Sequence, residues 1–134
     1  MKYIQLSVLL ITVVLASCST KSDYEAVVKS PNSKIKIQFK LSEKGEPTYW
    51  VGYKDEEVIK PSTMGFNLKE TTALLADFEL ITTTNSTFNE TWQMPWGEQL
   101  DVVNNYNELK VELQETSNLK RKLNIIFRVF DDGI

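Results

Sequence analysis

The chain has 134 residues, 42% of them hydrophobic and 25% charged, with 18 acidic against 15 basic side chains and a net charge of −3. These values describe about one globular domain rather than a disordered chain, and the mild acidity offers no concentrated basic surface for nucleic acid. Histidine is absent, which removes Ser-His and Cys-His nucleophile pairs and the commonest transition-metal ligand.

Residues 1–17 carry one charge, Lys2, and an apolar run from Val8 to Ala16 broken only by Thr12. That run is about half of what a membrane-spanning helix needs. A short apolar core behind a charged start and ending in small residues predicts a cleavable export signal. Leu15-Ala16-Ser17-Cys18 resembles the lipobox of bacterial lipoproteins at each of its four positions. The resemblance implies a diacylglyceryl group on the Cys18 sulfur, cleavage before it, and acylation of the new amino terminus. Each buried methylene contributes roughly 0.8 kcal/mol, so two or more chains anchor a domain without a spanning helix. The expected location is extracytoplasmic and lipid-anchored at the outer membrane, with the face left open. An incidental cysteine behind a non-lipidated signal is the alternative.

Cys18 is the single cysteine, so no intramolecular disulfide and no cysteine metal cluster can form; packing alone must stabilise the domain. Without its first seventeen residues, which include Lys2, the chain keeps 117 of 134 residues and 14 basic against 18 acidic groups, a net charge of −4. Residues 18–30 are polar and mixed in charge and predict a tether. The domain proper is expected over residues 31–134.

From Lys34 the pattern is two-fold. Ile35, Ile37, Phe39 and Leu41 alternate with Lys34, Lys36, Gln38 and Lys40, which predicts a half-buried strand. Glu43-Lys44-Gly45-Glu46-Pro47 supplies turn residues, and Thr48 to Tyr53 supplies aromatic and β-branched ones, so the two runs predict a hairpin. Val58 and Ile59 precede Pro61, which lacks the N–H of a central ladder, so that strand is expected to be short or at an edge. Met64 to Leu68 could add another strand, and Glu70 to Asp77 a single helical turn. Phe78 to Ile81 returns to strand composition, while Thr82 to Thr87 is β-branched or turn-forming.

Further on, Leu109, Val111 and Leu113 alternate with Lys110, Glu112 and Gln114, and Ser117-Asn118 marks a turn. Leu123, Ile125, Phe127 and Val129 then alternate with Asn124, Ile126, Arg128 and Phe130. Two apolar positions on the second face predict that this last strand is covered on both sides. Short strands separated by turns, without a ten-residue amphipathic stretch, predict an all-β sandwich. Asp131-Asp132-Gly133-Ile134 opens a turn that an apolar residue follows, so partner strands are expected beyond position 134; a complete small sandwich with a frayed end is the alternative.

The chemistry the residues allow is limited. Five glycines, at 45, 52, 65, 97 and 133, are too scattered to cradle a phosphate. Glycosidases need two carboxylates flanking a sugar bond, but Asp77 with Glu79, Glu98 with Asp101, and Asp131 with Asp132 have nothing that separates them from solvated acids. No catalytic residue or metal ligand is assigned. Trp92-Gln93-Met94-Pro95-Trp96-Gly97-Glu98, with Tyr106 beyond, is the densest aromatic stretch. Flat rings offer apolar area with polar-tolerant edges, which makes Trp92, Trp96, Glu98 and Tyr106 the candidates for sugar contact. The competing reading places both tryptophans in a core or an interdomain seam. Asn85-Ser86-Thr87 and Asn89-Glu90-Thr91 match glycosylation acceptors, accidentally if the lipobox is bacterial.

Ser30-Pro31-Asn32, Trp92 with Trp96-Gly97-Glu98, Asn105-Tyr106-Asn107-Glu108-Leu109, and above all Leu123-Asn124-Ile125-Ile126-Phe127-Arg128-Val129-Phe130-Asp131-Asp132-Gly133-Ile134 together resemble the amino-terminal domain of glycoside hydrolase family 97, the bacterial α-glucosidases and α-galactosidases. The resemblance spans about residues 30–134. It implies an incomplete β-super-sandwich similar to galactose mutarotase, packed in the full enzyme against a catalytic (β/α) barrel, with an α-linked oligosaccharide as substrate and calcium near the active site. Acid, base or nucleophile, and most calcium ligands lie in that family beyond the last residue here, so this chain is expected to need no cofactor and to be inactive alone. A stand-alone carbohydrate-binding lipoprotein and a structural lipoprotein without sugar affinity are the other two readings.

Overall fold

The structure is a computed structural model that describes residues 25–98 and 100–134. The expected export signal, Cys18 and most of the expected tether lie outside the described residues. Among them are seven strands and no helix: β1 (Ala26–Lys29), β2 (Ile35–Leu41), β3 (Pro47–Tyr53), β4 (Glu56–Thr63), β5 (Phe78–Gln93), β6 (Asp101–Glu115) and β7 (Lys122–Val129). They form two antiparallel meanders, ordered β1-β2-β3-β4 and β5-β6-β7, as strands joined by short turns must.

The β2–β3 hairpin pairs from Ile35↔Tyr53 to Leu41↔Pro47, as the alternation and the Gly45 turn predict. β1 lies within the stretch read as tether: Ala26–Lys29 pairs with Lys36–Phe39 and buries Ala26 and Val28. Pro61 does lie on an edge strand, β4. No helical turn forms over residues 70–77; an isolated bridge joins Phe66 and Leu74 instead. The Arg121 guanidinium fixes this crossing, donating to the Thr72 carbonyl at 2.9 Å and the Thr72 Oγ1 at 3.1 Å.

The inward residues of β2, Ile37 and Phe39, meet Leu109, Val111 and Leu113 of β6 and Val129 of β7 in one cluster. Phe127 spans the layers, with ring centroids 6.2 Å from Phe39 and 6.1 Å from Tyr49. Full burial of such side chains contributes roughly 1.5–3 kcal/mol each. Gly45 locks the sheets together at one end. Its φ is +70° and a Cβ there would lie 2.5 Å from the backbone N and O of Phe78, while its own carbonyl accepts the Phe78 N–H at 3.1 Å. Only a glycine fits so close an approach.

β5 is longer than its sequence suggested. The threonines of residues 82–87 continue the strand rather than turn it, because β-branched side chains suit the pleat. A register shift between Leu80 and Thr82 leaves Ile81 unopposed, a one-residue bulge. Phe78 and Leu80 point inward before it; after it the inward positions are Thr83, Asn85 and Thr87, whose partners are Val111, Leu109 and Asn107. The expectation that β7 is covered on both sides is not met: Ile126 on its outer face is 51% exposed and Arg128 also faces out, since no layer packs there among the described residues.

Candidate functional site

β7 pairs with β6 only over Asn107–Gln114, whereas β5 and β6 stay paired out to Gln93↔Asp101. Phe88–Gln93 and Asp101–Tyr106 therefore project from the sandwich as a two-stranded arm. At its tip the Met94 N–H donates to the Leu100 carbonyl at 2.9 Å, and Gly97 adopts φ +120°, a conformation that side chains disfavour.

All four sugar-contact candidates lie on this arm, and they do not converge. Trp96 at the tip is 85% exposed, with exposed Glu98 two residues on. Trp92, 44% exposed, opposes Val102, while Phe88 opposes Tyr106. Positions 88 and 92 share a face but stand about 13 Å apart along the strand. Tyr106 belongs to a cluster that sequence reasoning did not single out. It stacks on Phe88 (centroids 5.2 Å, 22°) and tilts against Phe130 at 5.0 Å, and the Arg128 guanidinium lies 5.2 Å from its ring centre. Arg128 Nε donates to Glu108 Oε2 at 2.9 Å, and that bond, ahead of the Tyr106 interaction, raises the Arg128 pKa above its ordinary value. Position parity across β6 and β7 could have found this cluster, had the pairing been known.

Two of the carboxylates, in different pairs, are held by hydrogen bonds to their side chains. Asp131 Oδ1 accepts the Asn32 N–H at 2.8 Å, Asp101 Oδ1 accepts from Gln93 Nε2 at 3.1 Å, and Asp77 takes φ +62° with its carbonyl accepting the Thr116 N–H. The carboxylate most tightly held is Glu115, nearly fully buried, which accepts from Arg121 Nε and Nη2 at 2.6 Å each. Those bonds draw its pKa below the usual range. Calcium takes six to eight oxygen ligands, and no three Asp or Glu side chains gather among the described residues; these residues alone do not fit the calcium site the resemblance implies.

The described residues leave several open grooves. An apolar groove of about 380 Å³ runs along β3 and β4, lined by Ile35, Val51, Tyr53, Val58, Ile59 and Ile134. A polar groove of about 420 Å³ lies where the β1–β2 turn meets the base of the arm.

The described residues thus form a two-sheet antiparallel sandwich with a projecting aromatic arm. Residues 28–134 match the Glycosyl-hydrolase 97 N-terminal family, and the chain belongs to it. Among solved structures it is similar to a glycoside hydrolase family 97 enzyme from Pseudoalteromonas sp. strain K8, determined in complex with panose and with acarbose (31% identity, TM-score 0.73, covering 79% of this chain and 16% of that one). A β-arabinopyranosidase shares the fold (24% identity, TM-score 0.69, 80% of this chain and 17% of that one). The chain thus spans about a sixth of the length of these enzymes, and the catalytic domain is not in it.

Proposed function

We propose that this chain is the N-terminal supporting module of an exo-acting α-glucosidase or α-galactosidase that degrades α-linked oligosaccharides, with the bond-breaking groups and calcium supplied by a barrel outside residues 1–134. The single observation that carries the reading is the family match over residues 28–134, supported by the panose and acarbose complexes of a relative. In this reading the barrel packs against the module's unpartnered apolar surface. The arm presents Trp92, Trp96, Glu98 and Tyr106 toward sugar, where exposed rings lose little entropy on stacking. Lipid on Cys18 holds the assembly at the outer membrane.

The test is to express the polypeptide encoded through and beyond Ile134 and assay release of glucose and galactose from p-nitrophenyl α-glycosides. Activity in the long form and none in residues 1–134 is expected; a long form inactive on both sugars overturns the reading. Calorimetry of the chain alone separates the stand-alone binding reading, which the exposed Trp96 favours, because that reading requires affinity lost in Trp96→Ala. Cys18→Ser should move the protein from the membrane to the soluble fraction; unchanged membrane partition rejects the anchor.

A further inference from the structure

The arm has two faces, and the four candidate sugar-contact residues leave the second one unused. On the side continuous with the core, Asn85, Thr87 and Asn89 of β5 oppose Leu109, Asn107 and Asn105 of β6. Farther out this face carries Val103 and Asp101, but just past the last core leucine its inward side chains are uncharged carboxamides and hydroxyls. At the base of this face they close on Lys29 and Ser33 to form the polar groove of about 420 Å³, within the ~300–1,000 Å³ of small-molecule sites.

We propose that this groove is a second ligand site that binds a neutral polyol, of the size of one or two sugar rings, through Asn85, Thr87, Asn107 and Ser33. A carboxamide offers donor and acceptor side by side, the complement of vicinal hydroxyls that also do both. Asn107 is set in advance: its Nδ2 donates to the Lys29 carbonyl at 2.9 Å and its Oδ1 accepts from Thr87 Oγ1 at 2.9 Å. One N–H and one lone pair stay available, and a side chain already fixed loses less entropy when a ligand arrives. The side chains of Asn85 and Ser33 have no partner among the described residues. Other ligand classes fit less well. Lys29 is the only cation in the lining, so a phosphate would meet a single positive charge, and no three carboxylates gather among the described residues to hold a metal.

The site shares a ligand class with the proposed function but none of its residues, so the two fail separately. The experiment is a titration of the chain with maltotriose, followed by amide and side-chain NH₂ resonances. Millimolar binding is expected, with shifts at Asn85 and Asn107. It should weaken about tenfold in Asn85→Ala and in Asn107→Asp, the loss of roughly one hydrogen bond. Trp96→Ala should leave it unchanged, as should raising salt from ~0.05 to ~0.5 M.

Shifts confined to the indoles of Trp92 and Trp96, no shifts by ~50 mM sugar, or displacement by inorganic phosphate each overturn the site. An undispersed spectrum overturns it too, because the groove's walls are 78 residues apart and meet only in the folded sandwich. If Asn85→Ala weakens binding while the long form proves inactive on α-glycosides, the groove stands and the enzyme reading falls.

Discussion

Strands β5 and β6 run through two regions of opposite character. Near Leu109 and Val111 they are the floor of a dry sandwich with fully buried side chains; beyond Asn107 they are an arm with wet surfaces on both sides. Backbone pairing hardly changes between the two. Only the side chains do, from leucine and valine to asparagine and threonine on the inner face, and to aromatics on the outer one. The lesson is that pairing carries a strand past its core, and the residue types along it decide where stability ends and recognition begins.

The sharpest way to break the body is Phe39→Ala, which should cost about 3–5 kcal/mol, a large part of the ~5–15 kcal/mol that stabilises a domain, read as a strongly lowered thermal midpoint. Gly45→Ala should follow at about 2–4 kcal/mol, combining a left-handed backbone with an overpacked contact, read as a lower urea midpoint.

Arg121→Met tests how the 64–77 crossing is held. Because Arg121 lowers the Glu115 pKa from its ordinary 4.5, the pair stabilises the fold above the unfolded carboxylate's pKa. That stability is lost as pH falls through the folded value. The wild-type unfolding midpoint should drop on acidification below about pH 4.5, and the variant should start lower and lose less over the same range.

At the other extreme, Trp96→Ala should change stability by less than about 0.5 kcal/mol, as an exposed tip residue does. A large loss there would mean that the arm is part of the body after all.

Much of the body was legible because two-fold alternation over residues 34–41, 109–113 and 123–129 is the physical requirement of a half-buried sheet. The arm was not. Residues 82–87 leading into it read as β-branched or turn-forming, and the bulge at Ile81 shifts the parity of everything after it. Strict alternation from Phe78 would send Phe88 and Trp92 inward; the extra residue turns them out. Asn107 and Tyr106 are adjacent in sequence and serve opposite faces, which only the pairing reveals. β1 was read as tether because four residues are too few to show a period beside polar neighbours.

The bond between Asn32 and Asp131 spans 99 residues and brings the first turn of the sandwich beside its last. Each meander can assemble from neighbouring strands within its own stretch of sequence, but neither has a dry side until the other docks. During synthesis, β1 to β4 must therefore wait with one greasy surface in water until β6 and β7 have emerged. Such non-local closure favours slow folding, and the hazard to a nascent chain falls in that interval rather than at its completion.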